Sequence, residues 1–214
     1  MPKDLNRLTV TEFLEELASA QPAPGGGTVA ALAGALAAAL TTMVARLTLG
    51  KKKFQDRHAL MATIEQRAEK RLATFQVLLQ QDTQAYQAVV ESFRRPKNTD
   101  EEKAQRAAAV EKALQEAARI PLETLARLDE LMDDAAHVLR SGNPNAASDA
   151  GAAVQLIRAA AFVAAYNVWI NLKSLRDETF RKDAEKKVRA ALERIETRAA
   201  RGHDDLRSAL EPSS

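Results

Sequence analysis

The chain has 214 residues and a mass of 23.3 kDa; 46% of the residues are hydrophobic and 28% charged, enough apolar material for one buried core. Lys and Arg total 31 against 29 Asp and Glu, so no basic excess points to a nucleic-acid partner, and the lack of cysteine excludes disulfides, thiol catalysis and Cys-ligated metals. Alanine occurs 43 times, while β-branched and aromatic residues are scarce, which excludes a β-rich fold.

The pattern predicts an all-α, single-domain bundle of about seven helices. Met1 to Arg7 lacks the apolar stretch of a signal peptide, so a cytoplasmic protein is expected. The first helix opens at Thr9, where Thr9 and Glu12 have capping-box spacing, and ends before Pro22. Pro22 to Gly27 is a loop, with Thr28 as the cap of a second helix that runs to Leu49 and stops at Gly50. A long helix follows from about Asp56 to Phe93, broken by Pro96. Thr99 and Glu102 repeat the capping-box spacing and open the next helix; Pro121 interrupts it or starts its successor, which ends before Gly142. A helix from about Ser148 to Lys173 and a last one from beyond Arg176 to about Arg201 complete the domain, residues 1–201, and residues 202–214 read as a polar tail.

Two helices stand apart. No charge lies between Glu16 and Arg46, and Arg158 is the only one between Asp149 and Lys173. Helices apolar nearly all round need cover on all sides. The uncharged stretch Leu17 to Ala45, which includes the first, holds Pro22, Pro24 and a triple glycine, and the alanine-rich part after them reads as too short to span a membrane. Both are therefore expected as central, buried helices, with Ala30, Gly34 and Ala38 at four-residue spacing allowing a close neighbour. Two such helices are much for a lone bundle this small, and a homodimer is expected.

Asp82 is the most informative residue. Leu60, Ile64, Ala68, Leu72, Phe75, Leu79, Asp82, Tyr86, Val89 and Phe93 recur at steps of three and four, which places this carboxylate inside an apolar helix face. Apolar surroundings disfavour the charged form and raise the pKa toward neutrality, the condition for general acid–base work. An ion pair with Arg158, or a carboxylate reaching water at a kink, satisfies the same pattern.

The Pro22–Thr28 loop opens directly into a helix, where Gly25, Gly26 and Gly27 let a ligand approach free N–H groups; a flexible helix entry fits equally. Lys51, Lys52 and Lys53 follow a helix end, either as a solvated run complementing the helix dipole or as partners for an anionic substrate. Asn143 and Asp149 lie in a segment rich in turn and cap residues, with Ser148 as the helix-start cap. Asn167 and Asn171 lie one turn apart on an apolar helix, so each amide needs a partner, either backbone carbonyls at a helix crossing or a heterocycle. His58, His137 and His203 lack ligand spacing, and no metal site is expected.

Pro22-Ala-Pro-Gly-Gly-Gly-Thr-Val-Ala30, Gly50-Lys-Lys-Lys-Phe54, Asp82-Thr-Gln-Ala-Tyr86, Pro96-Lys-Asn-Thr-Asp-Glu-Glu-Lys103, Ile120-Pro-Leu122, Gly142-Asn-Pro-Asn145, Ser148-Asp149 and Asn167-Val-Trp-Ile-Asn171 follow one another in an order that resembles the cyclodeaminase domain of formiminotransferase-cyclodeaminase, over about Leu8 to Leu192. Thr28 stands where that pattern often has serine, and Phe54 where it often has tyrosine. The resemblance implies an all-helical, dimeric folate enzyme with no metal and no cofactor beyond its tetrahydrofolate substrate. It further implies Asp82 as catalytic residue, with Gly25–Thr28, Lys51–Lys53, Tyr86, Asn143, Asp149, Asn167 and Asn171 as candidate substrate contacts. The implied reactions are formiminotetrahydrofolate cyclodeamination or, as the alternative, methenyltetrahydrofolate cyclohydrolysis. A separate formiminotransferase is a candidate partner, since 214 residues hold only this half. The reading from another class is a non-catalytic helical folate-binding or scaffold protein.

Overall fold

The computed structural model describes residues 3–210. Six α-helices carry the fold: α1 (Val10–Ala18), α2 (Gly26–Leu49), α3 (His58–Phe93), α4 (Asp100–Ser141), α5 (Ala147–Leu172) and α6 (Glu178–Leu210). Tight 3-10 turns precede α1 at Leu5–Arg7, α3 at Lys52–Arg57 and α5 at Pro144–Ala146, and no strand occurs among the described residues. Both expected capping boxes form. The Thr9 hydroxyl accepts the Glu12 N–H at 3.2 Å while the Glu12 carboxylate accepts the Thr9 N–H at 2.7 Å, and Thr99 and Glu102 do the same for α4.

The helix count falls below the sequence expectation because Pro121 does not interrupt α4, which runs on through it for 42 residues. Proline has no N–H, so the Ala117 carbonyl, four residues back, loses its helical donor. The Asn171 Nδ2 supplies the replacement, donating to Ala117 O at 3.1 Å from the neighbouring α5. A cycle of single and double variants isolates this exchange. Asn171→Ala is expected to lower stability by about 1–3 kcal/mol in the native background, where a buried carbonyl is orphaned. In a Pro121→Ala background the restored N–H is expected to remove most of that loss. Equal losses in both backgrounds, measured by denaturant unfolding, would refute the exchange.

The C-terminus also departs from expectation. Residues 202–210 continue α6 instead of forming a tail, and residues 211–214 lie outside the described residues. Gly202 is buried with Leu139 and Val154 packed over it, and Leu206, one turn on, lies against Gly151 of α5. The segment's polar side chains occupy the outer face of the helix, a periodicity that composition alone hides.

The two charge-poor helices form the centre, as their composition requires. α2 packs on α3, α4 and α5, and α5 packs on α2, α4 and α6. They run antiparallel: Gly26 at the start of α2 meets Asn167 late in α5, and Val44 late in α2 clusters with Ala150 at the start of α5. By length and composition both are long and apolar enough to cross a membrane, which corrects the expectation for α2: its helix holds 24 residues, longer than the alanine-rich run alone suggested. Ala30, Ala31, Ala37 and Ala38 are at most 1% exposed, and α3 comes so close that a Cβ on Gly34 would lie 2.7 Å from the Phe75 ring. The small-residue spacing thus serves the α2–α3 crossing. α3 and α4 are also joined by charge: Asp134, almost wholly buried, accepts from Arg67 and Arg71, each at 2.6 Å. Nothing in the local sequence marks that triad.

Candidate active site

The glycine loop and the Asp82 stripe meet. α2 begins at Gly26, two residues before the expected start, with Gly25 at the N-cap position and no side-chain cap. Thr28 is therefore inside the first turn and is not the cap; its side chain is free to bond elsewhere. Its hydroxyl donates to Asp82 Oδ2 at 2.8 Å, its backbone N–H also reaches the Asp82 carboxylate, and its oxygen lies 3.3 Å from the buried Thr83 hydroxyl. The site thus consists of a carboxylate from the middle of α3 set against the N-terminal turn of α2.

Glycine is required here by closeness. A Cβ on Gly27 would fall 2.1 Å from Asp82 Oδ1 and 2.7 Å from its Cγ, well inside any real contact. Gly26 plays the same part toward α5, since a Cβ there would lie 2.9 Å from Asn167 Nδ2. Asn167 Nδ2 donates to Val163 O at 2.8 Å, and its amide oxygen takes no hydrogen bond among the described residues. Tyr86, one turn beyond Asp82 on the same stripe, is 39% exposed. Gly26, Gly27, Thr28, Asp82, Tyr86 and Asn167 therefore share one corner, with hydrogen-bonding groups free for a ligand at its rim.

Asp82 has no ion pair among the described residues; Arg158, the partner the sequence also allowed, is bound bidentately by Glu196 at 2.5 and 2.9 Å. Burial pushes the Asp82 pKa above the usual aspartate value, and the two Thr28 hydrogen bonds, which favour the charged form, offset this only in part. The helix N-terminus likewise favours the carboxylate. The result is a titratable carboxylate held between two opposing influences, and removing one has a definite sign. Thr28→Val deletes the side-chain hydrogen bond that favours the carboxylate, so the Asp82 pKa is expected to rise and the pH–rate limb it controls to move to higher pH. An unmoved limb would separate Asp82 from that titration.

The remaining candidates lie elsewhere. Asn171 bonds backbone carbonyls, Ala117 O and Asn167 O at 2.8 Å, so its amide is structural. Asn143 is engaged too: its N–H donates to Thr48 Oγ1 at 2.8 Å, its Nδ2 to Leu47 O at 3.3 Å, and its Oδ1 accepts the Asn145 N–H at 3.1 Å. It anchors the α4–α5 turn to the end of α2 and caps the 3-10 turn before α5; Ser148 caps nothing, the N-cap position of α5 being Ala146. Lys51, Lys52 and Lys53 follow the C-terminus of α2, and Asp149 lies in the first turn of α5 beside it. With 24 residues in α2, these groups lie about 35 Å from Asp82. Thr83 had escaped the sequence reading; it belongs to the corner through Thr28, and its adjacency to Asp82 was the only signal.

A cavity of about 840 Å³ lies between α3, α4 and α6 and not at Asp82. Many of its charges are already matched, Asp129 by Arg194 and Arg198 and Asp183 by Lys187, leaving little chemistry unassigned. Among the described residues no group of three His, Asp or Glu could hold a metal ion.

Fold and site together define a helical bundle in which a buried carboxylate, raised in pKa and without an ion pair among the described residues, sits against a glycine-rich helix start. Residues 9–190 match the formiminotransferase-cyclodeaminase family, and the chain belongs to it. A methenyltetrahydrofolate cyclohydrolase of Methylorubrum extorquens is 41% identical over 184 residues, covering 86% of this chain and 88% of that protein. The formimidoyltransferase-cyclodeaminase of Mus musculus is 34% identical over 191 residues, 88% of this chain but 35% of that longer protein. The crystal structure of a formiminotetrahydrofolate cyclodeaminase from Thermotoga maritima superposes with a TM-score of 0.87 at 31% identity, covering 97% of this chain and all of that one.

Proposed function

We propose that the protein is a one-carbon folate enzyme that makes and breaks bonds at the one-carbon unit carried by N5 and N10 of tetrahydrofolate, with Asp82 moving protons on the attacking and leaving groups and no further cofactor. The observation that carries this is the Asp82 carboxylate itself, buried, raised in pKa and held by Thr28 at a glycine-lined helix start. Methenyltetrahydrofolate cyclohydrolysis is favoured by the 41% identity, nearly end to end, with the Methylorubrum relative. Water adds to the cationic methenyl carbon and gives up one proton; the tetrahedral centre then collapses, one C–N bond breaks, the released nitrogen takes a proton, and the hydroxyl's remaining proton leaves to solvent as the formyl C=O forms. Asp82 as carboxylate accepts the first proton and as acid returns one. The second reading is cyclodeamination, favoured by the Thermotoga structure. There N10 attacks the formimino carbon, its own proton passes to the exocyclic nitrogen, and a second proton from Asp82 lets that nitrogen leave as ammonia.

Two assays on the purified protein test the proposal. With methenyltetrahydrofolate, chromophore loss above the spontaneous rate identifies the hydrolase. With 5-formiminotetrahydrofolate, ammonia release together with chromophore gain identifies the deaminase. No activity in either would overturn the enzymatic reading.

A further inference from the structure

A threonine inside a helix ordinarily returns its hydroxyl to the backbone carbonyl of the preceding turn. On α3 Thr63 and Thr74 do so, each at 3.0 Å, and every other threonine beyond the first turn of a described α-helix does the same, with one exception. The exception is Thr83. It is 8% exposed, and its hydroxyl has a single hydrogen-bond contact among the described residues, Thr28 Oγ1 at 3.3 Å. Thr28 is wholly buried and has one hydroxyl proton, which is committed to Asp82 Oδ2 at 2.8 Å. A charged acceptor takes the shorter and stronger bond. The longer contact therefore runs the other way, with Thr83 donating to Thr28. Asp82 and Thr83 are neighbours in sequence, and their side chains leave α3 about 100° apart. Thr28 is thus clasped between them: one takes its proton and the other supplies one.

We propose that Thr83 is a positioning residue of the active site: its hydroxyl donates to Thr28 Oγ1 and thereby holds the Thr28 proton on Asp82, joining the three side chains in one hydrogen-bond chain that ends on the carboxylate. A hydroxyl turns freely about its C–O bond until a donor occupies its lone pair, so Thr83 fixes the direction in which Thr28 points its proton. Successive hydrogen bonds also polarise one another, and the bond to the carboxylate is strengthened by the one behind it. Thr83 forms no hydrogen bond to Asp82 itself, so its effect passes through Thr28. On α2 Asp82 meets Gly27 and Thr28, neither of them charged, and no cation of any helix is paired with it among the described residues. Hydrogen bonds, not ion pairs, therefore support its charged form against burial. The catalytic consequence rests on the folate reading; the hydrogen-bond chain does not.

Thr83→Val deletes the donor and keeps the shape. It is expected to move the pH–rate limb of Asp82 to higher pH by roughly 0.2–0.6 pH unit, in the same direction as Thr28→Val and by less. Thr83→Ser keeps the hydroxyl and is expected to bring the limb back. Thr83→Ala also lacks the donor and is expected to match the valine variant, which separates the lost hydroxyl from a packing fault. The decisive arm combines Thr83→Val with Thr28→Val. With the Thr28 hydroxyl gone, loss of Thr83 is expected to move the limb no further. An unmoved limb in Thr83→Val, or the same displacement with and without the Thr28 hydroxyl, would overturn the proposal. The wild type, the two single valine variants and the double variant are also titrated without substrate, by the carbon NMR shift of the Asp82 carboxyl group, and the same order of midpoints is expected. If the wild type turns over neither folate, the folate reading fails and this titration alone decides the hydrogen-bond chain.

Discussion

Asp82→Asn lowers kcat by about 10²–10⁴ while KM stays within a few-fold, the signature of a proton-transfer group lost from a site that still binds. The amide is nearly isosteric and still accepts the Thr28 hydroxyl, so the corner keeps its shape. Stability separates this outcome from a merely structural role. Burial raises the folded-state pKa of Asp82, so at low pH the folded chain holds its proton more tightly than the unfolded chain does. That contribution to stability is present below the unfolded value and is lost as pH rises through the folded one. Above that folded value the ionised carboxylate opposes folding, and there the asparagine variant is expected to melt no lower than the wild type. Unchanged turnover with altered melting would make Asp82 structural and leave the proton transfer to another group.

Gly27→Ala is expected to abolish most activity without touching an ionisable group. The added methyl would occupy the space of the Asp82 carboxylate, 2.1 Å from its Oδ1, so the aspartate must leave Thr28 or α2 must move off α3. Displacement of a catalytic group by about an ångström costs on the order of 10²-fold in rate. Alanine favours the helix by about 1 kcal/mol over glycine, which offsets part of the overpacking. The expected pattern is thus a large fall in kcat/KM with a melting temperature lowered by only a few degrees. Full activity in this variant would show that the Asp82–Thr28 contact is dispensable.

Much of this was legible in the sequence. Helix class and both capping boxes followed from composition and spacing. Asp82 was visible because one acid interrupted an apolar stripe, and the glycine loop because no ordinary helix start needs three glycines. What escaped was what depends on distant partners. Pro121 reads as a break until Asn171 is known to lie against Ala117 O. Asn143 reads as a ligand contact until the end of α2 is seen to use it. The lysine run and Asp82 read as one site in a list of motifs, and only the length of α2 parts them. Asp134 gave no signal at all, because both its arginines lie more than sixty residues away in sequence.

The Pro121–Asn171 exchange also constrains the order in which this chain can change. Replacing Pro121 first only adds a second donor to a carbonyl that already has one, so the step is open. Replacing Asn171 first strands that carbonyl, so the step is barred until the proline has gone. Two substitutions that are harmless together are thus reachable by one path and not by the other. A helix with an internal proline here acts as a ratchet on sequence drift, although the proline lies well outside the chemistry.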